Sequence, residues 1–258
     1  MSAWLDRLFY ESDWSAPLLA ARARRERRTT VALAALLLLY ANIDAWLATR
    51  REQELASGNQ LVHLGALAAA LAWARAERIT PAELGVARSG LGRGLLCGAA
   101  IGLLGAMPIR LFFAFPLVSR QAVTQPEFEG LSTHRVLWLL GTRFLIGSAL
   151  FEEVAFRGLL QAKLRRLLRP GPALLVSSGV FAAWHLVITW HNLRRSNLPR
   201  PLFAPLYVGA LTALFGGGLL FGLVREASGH LAGSVVAHWL MVANIVLAVA
   251  RPRASARS

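Results

Sequence analysis

Long apolar runs alternate along the chain with short clusters of charge. A helix needs about 20 apolar residues to cross the hydrocarbon of a membrane. The first such run covers residues 30–48 and follows Arg22, Arg24, Arg25, Arg27 and Arg28. A shorter second run covers residues 61–74 and is closed by Arg75 and Arg78. The third covers residues 91–117, where Pro108 and Arg110 predict a bend or a split. Residues 119–133 are polar and predict a loop outside the membrane. The fourth run starts near Val136, passes through Glu152, Glu153 and Arg157, and ends in a basic tail of Lys163, Arg165, Arg166 and Arg169. A fifth covers residues 173–190, a sixth 202–223 and a seventh 231–250. Basic residues concentrate on the cytoplasmic side of membrane helices, which predicts a cytoplasmic N-terminus. Arg194, Arg195 and Arg200 fall on the outer side of that scheme, so the rule weakens late in the chain.

The pattern predicts an all-α fold, a multi-pass transmembrane bundle of six to eight helices. Residues 1–28 form an amphipathic and basic cytoplasmic segment in this reading. Residues 29–250 form the membrane domain, with the motif-bearing core at 136–250. Residues 1–10 pair apolar Trp4, Leu5, Leu8 and Phe9 with charged Asp6 and Arg7, and no cleavable apolar core follows directly. Such a segment is expected to lie flat on the membrane. Gly94, Gly98 and Gly102 recur every fourth residue, as do Gly218 and Gly222. That spacing lets helices approach closely, within one bundle rather than between two copies.

Composition agrees. Of 258 residues 55% are hydrophobic and 16% charged, against about 25% charged in soluble domains. This excludes a disordered chain, a collagen and a nucleic-acid-binding domain. The net charge of +14 belongs to arginines placed between apolar runs, which suits anionic lipid rather than DNA. Lys163 is the one lysine. The single Cys97 allows neither an internal disulfide nor a thiolate metal cluster.

Ionisable residues inside apolar helices are costly, and so are functional candidates. The strongest intrusion is the Glu152-Glu153 pair with Arg157. Glu153 and Arg157 stand four apart on one helical face and can pair. Glu152 lies on a neighbouring face with no local partner. A desolvated carboxylate without compensation suits a general base. The competing reading is a helix end where both charges reach water. His185 shares a face with Phe181, and His238 with Ser234. Each histidine alone reads as a hydrogen-bonded core residue. Two glutamates and two histidines on three apolar helices read together as a site that polarises a water or holds a metal. His63, His134, His191, Asn192 and His230 read as surface or interfacial. Asp44 and Arg143 lie within apolar runs and are expected to pair. Arg143 is nine residues before Glu152, about 180° round a regular helix, and is expected to face away from the site.

These residues resemble the CAAX protease and bacteriocin-processing family of intramembrane proteases. Its Glu-Glu-x-x-x-Arg motif is matched by Glu152, Glu153 and Arg157, and its Phe-x-x-x-His motif by Phe181 and His185. Its late His-x-x-x-Asn motif is matched at His238, while the asparagine position holds Val242. Asn244, brought round by a bulge, or Ser234 would have to replace it. The resemblance implies peptide hydrolysis within or at the membrane. Glu152 would take a proton from water and His185 would orient that water. His238 would stabilise the oxyanion, and Glu153 and Arg157 would hold the glutamate helix. No cofactor is expected on this reading. Zinc held by His185, His238 and Glu152 is the alternative enzyme, although no His-Glu-x-x-His helix is present. A non-catalytic immunity or assembly protein of the same family is another alternative, and a proton-relaying transporter a third, against which stands the lack of paired repeats. The expected partners are membrane lipid and a membrane-anchored peptide or protein substrate, with no nucleic acid. The expected location is a bacterial inner membrane.

Overall fold

Sequences this apolar satisfy their backbone groups within helices, and every regular element of the structure is helical. The computed structural model describes residues 20–51, 58–114 and 123–250. The amphipathic segment 1–10 lies outside them. Among the described residues there is no strand. Helix α1 is Ala20–Arg51, α2 is Gly58–Ala76, α3 is the single turn Pro81–Leu84 and α4 is Leu91–Ala114. Helix α5 runs continuously over residues 133–165. Helix α6 is Pro170–Trp184, α7 is Leu186–Arg195, α8 is Phe203–Ser228 and α9 is Leu231–Val249.

Four stretches are long and apolar enough to span a membrane: Ala23–Leu47, Leu91–Phe113, Arg200–Ser228 and Leu231–Val249. A fifth arises if α6 and α7, bent by 42° against each other, form one broken span. The protein is a multi-pass membrane helix bundle. Only 17–22% of the apolar windows in α1, α4 and α8 is buried in protein, against 56% in α9. The first three therefore present apolar faces to lipid, and α9 runs through the middle.

The glycine spacings do their work inside the bundle. A Cβ on Gly98 would strike the backbone of Gly233, and one on Gly102 would meet Ala237 and Leu240, so α4 lies directly against α9. Gly218 and Gly222 seat α8 against Ser178 and Leu174 of α6, and against Arg157 and Gln161 of α5. Helix α4 continues through Pro108, so the expected split does not form.

Helix α5 starts from a Ser132 cap, whose side chain accepts from the Arg135 N–H. It widens to π geometry over Leu140–Leu150 and again over Val154–Leu160. A π turn closes on the fifth residue rather than the fourth, so each residue advances less round the axis. That corrects the expectation for Arg143. The half-turn separation expected for a regular helix therefore does not apply between Arg143 and Glu152. The expected pair with Asp44 is not formed either; Glu127 is the acid whose field reaches Arg143.

The basic tail of α5 is paired with acids of other elements. Lys163 is fully buried, and its ammonium donates to Glu26 of α1 and to Glu77 just beyond α2, both at 2.7 Å. Arg166 pairs with Glu83 of α3 at 3.0 Å and donates to the Glu77 carbonyl. Arg165 and Gln161 both donate to Glu226 of α8. Four helices and the turn after α2 are tied together at this end. Burial by itself would raise Glu77, but its hydrogen bond and ion pair with Lys163, with Thr29 and Arg25 behind them, hold it below its ordinary value. At Glu83 burial also pushes upward, and Arg166 and the Thr80 cap outweigh it.

Candidate active site

Glu152 and Glu153 sit on the short α-helical stretch of α5 between its two π segments, a placement typical of functional positions. Both are buried, Glu153 completely. The expected pair exists: Arg157 Nη1 donates to Glu153 Oε1 at 3.0 Å. Arg157 Nη2 donates to the Gly218 carbonyl at 3.1 Å. The guanidinium lies over the Phe181 ring, 4.2 Å from its centroid. Gly218 admits it, because a side chain there would crowd both Arg157 and Ser178.

Glu152 does have a local partner, contrary to the sequence reading. Ser148, one turn earlier, donates its hydroxyl to Oε1 at 2.8 Å. The other oxygen, Oε2, is buried without a hydrogen-bond partner. It faces His185 Nε2 at 3.6 Å and His238 Nε2 at 3.9 Å.

The two histidines are oriented through their other nitrogens. His185 Nδ1 lies 2.8 Å from the Phe181 carbonyl, which can only accept, so Nδ1 carries a proton. His238 Nδ1 lies 2.9 Å from Glu153 Oε1, the oxygen that also takes Arg157. In the neutral imidazoles both Nε2 atoms are therefore lone pairs aimed at Glu152. The His238 ring is stacked on Phe221, with centroids 4.9 Å apart, and Phe181 packs edge-on to both histidines. The phenylalanine of the Phe-x-x-x-His pair thus positions three polar groups at once. Of the site side chains His185 is the most accessible, at 16%.

All five candidates, Glu152, Glu153, Arg157, His185 and His238, meet in one place. The two proposed replacements for the missing asparagine do not join them. Ser234 donates to the Leu231 carbonyl of its own helix. Asn244 accepts from Arg110 Nε and donates to the Leu240 carbonyl. For zinc the relevant set is His185, His238 and Glu152. Their free lone pairs converge, but among the described residues no three His, Cys, Asp or Glu side chains are arranged to hold a metal ion.

Sequence reasoning missed three features. His63, read as interfacial, stacks on Phe151 with centroids 5.8 Å apart, next to Glu152. The fifth apolar run was read as continuous, yet it breaks at His185, whose backbone leaves helical values at φ −94°, ψ 5°. The third is Asn42 of α1, which reaches across to that break. Its Oδ1 accepts from the Val187 N–H at 3.1 Å and its Nδ2 donates to the Ala183 carbonyl at 3.2 Å. An amide within an apolar run was the available signal.

Residues 134–244, which hold all of these candidates except His63 and Asn42, match the family model described as type II CAAX prenyl endopeptidase Rce1-like. That segment, less than half of the chain, is similar to the CAAX protease family. Comparison with curated proteins and with solved structures finds no match. At the level of the family the match supports a CAAX-type intramembrane protease. The matched segment begins in the first turn of α5 and ends in α9, so α1 to α4 lie outside it.

Proposed function

We propose that the chain is an intramembrane endopeptidase that hydrolyses peptide bonds of membrane-associated proteins or peptides with a glutamate-activated water. The observation that carries this reading is Glu152 Oε2. It is a buried carboxylate lone pair without a partner, facing two imidazole nitrogens, while Ser148 fixes its sister oxygen. A buried acceptor left open is expensive, and such costs persist where chemistry needs them.

In the proposed reaction a water sits between Glu152 Oε2 and His185 Nε2 and donates a hydrogen bond to each. Glu152 removes one proton as the water oxygen attacks the substrate carbonyl carbon. The carbonyl π electrons move onto oxygen. His238, protonated at both nitrogens, donates from Nε2 to that oxyanion and keeps Glu153 as its counterion through Nδ1. Collapse restores the carbonyl and breaks the C–N bond, and the leaving amine takes the proton from Glu152. Two carboxylates, one guanidinium and one imidazolium balance, as buried charge requires. Glu153 and Arg157 position; Glu152, His185 and His238 touch the reacting atoms.

The substrates would be leader segments or C-terminal sorting segments of membrane-anchored proteins. The site of action would be a bacterial inner membrane, with the arginine-rich start of α1 on the cytoplasmic side. No metal is assigned a step. A non-catalytic immunity or assembly role is the second reading, and Val242, where the family motif has an amide, favours it.

The test uses the purified full-length protein in detergent and a pool of peptides with membrane-anchored C-termini, with and without a strong chelator. Wild type is expected to cleave, with no effect of chelator, and Glu152→Ala to be inactive. Cleavage by Glu152→Ala overturns the glutamate mechanism. Loss with chelator and rescue by zinc makes His185 and His238 metal ligands instead. A pool left uncleaved by wild type favours the second reading.

A further inference from the structure

We infer that Asn42 is a positioning residue for His185, and that α1, outside the segment matching the family, is therefore part of the catalytic apparatus. The inference rests on the reading of the site given above.

The break in the fifth span has an identifiable cause. In a regular helix the backbone N–H of residue 185 would bond the carbonyl of residue 181. The His185 ring takes that carbonyl through Nδ1, and the His185 N–H bonds Ala182 instead. A side chain that competes for the ladder bends a helix. The next rungs then need new partners, because backbone groups left unpaired in an apolar bundle cost several kcal/mol each.

Asn42 supplies them. Ala183 and Val187 are four apart, the pair that a regular helix joins directly. The Asn42 amide stands between them, accepting from one and donating to the other. Its Nδ2 also donates to the Leu38 carbonyl at 2.8 Å, which fixes the side chain on α1. An amide is the shortest group that both donates and accepts in one plane. Leucine at this place would leave both backbone groups open. Helix α1 is packed nearby by Tyr40, whose ring lies 5.6 Å from Trp184 and 5.9 Å from Phe151, the residues just before His185 and Glu152. The amide thereby holds the bend that aims His185 Nε2 at Glu152. A displacement of about 1 Å at such a group can cost about a hundredfold in rate.

The experiment compares wild type, Asn42→Ala, His185→Ala and the double variant in liposomes, on whichever peptide of the anchored pool wild type cleaves. Asn42→Ala is expected to lower kcat by about tenfold to a hundredfold, with KM changed less than about twofold. Added to His185→Ala, it is expected to cost nothing further, since it acts through that ring. Asn42→Asp keeps the shape and the acceptor for Val187 but lacks the donor for Ala183. It reports the same effect if the alanine variant fails to accumulate. Wild-type kcat in both Asn42 variants overturns the inference while leaving the site intact. So does a full additional loss in the double variant, which would mark a purely structural role. Glu152→Ala or His185→Ala cleaving at the wild-type rate overturns the site itself. A readout that needs no substrate completes the set: ring-nitrogen spectra of the histidine-labelled protein, with His185 assigned by His185→Gln. Asn42→Ala is expected to move the His185 signals and leave those of His238. Unmoved His185 signals overturn the inference even if no peptide is cleaved.

Discussion

Helix α5 carries two buried charge clusters, and they are built on opposite terms. At its basic end Lys163 is fully buried with Glu26 and Glu77 both at 2.7 Å, and the neighbouring arginines are similarly matched with Glu83 and Glu226. In its middle Glu153 and Glu152 each keep one buried oxygen without a hydrogen bond; Arg157 and His238 take the other oxygen of Glu153, while the open oxygen of Glu152 faces two imidazole nitrogens. A charge whose partners are all supplied by the protein contributes to holding the fold together. A charge that lacks one and faces two imidazole nitrogens is the candidate for chemistry. The comparison separates the two by inspection, although each cluster is equally unexpected in an apolar chain.

The largest expected effect breaks the closed cluster. Lys163→Met leaves two acids facing each other without their cation, and removing one partner of a buried pair costs about 3–5 kcal/mol. A lower melting temperature and reduced accumulation should follow, read by thermal unfolding in detergent. Ser148→Ala sharpens the open cluster instead. It frees the second oxygen of Glu152, so kcat is expected to fall about tenfold, a barrier change of about 1.4 kcal/mol. Its melting temperature should stay far nearer wild type than that of Lys163→Met.

Acid should loosen the closed cluster gradually. Glu77 and Glu83 are held below their ordinary values, so they add stability that is fully present above about pH 5 and is lost as pH falls through their lowered values. Melting temperature against pH should be flat near neutrality and decline below about pH 4. In Lys163→Met the Glu77 part of that decline should vanish. The smallest effect belongs to Arg165→Ala. Its side chain is 38% exposed, and such a pair is worth about 0–1 kcal/mol. A loss as large as that of Lys163→Met would contradict the distinction between buried and exposed partners.

The bundle and the convergence of the five candidates were legible because the sequence shows directly what a membrane makes expensive. Glutamates at 152 and 153 or histidines at 185 and 238 stand out against apolar neighbours. Arg157 was placed correctly because its long side chain still reaches Glu153 at four-residue spacing, although it lies in the second π segment. What remained hidden depends on geometry that spacing does not encode. The angle between Arg143 and Glu152 was not legible because α5 is underwound into π turns between them. His63 and Asn42 were passed over because their partners lie on α5 to α7, far along the chain. The partners of the basic tail stayed hidden because Glu26, Glu77 and Glu83, which pair with Lys163 and Arg166, stand on α1, just beyond α2 and on α3. Ser148 was the exception: one turn before Glu152, it was within reach of the same helical rule that found Arg157.

The central claim is that Glu152 is held open for catalysis and contributes little to holding the bundle together. Its most direct test is Glu152→Gln, with peptide cleavage and thermal unfolding measured on one preparation in liposomes. Glutamine keeps the shape and removes the base. The account expects cleavage to disappear while the melting temperature stays within a degree or two of wild type, on the order of the effect of a near-neutral substitution. Cleavage at the wild-type rate, or a loss of activity accompanied by unfolding as deep as that of Lys163→Met, would contradict it.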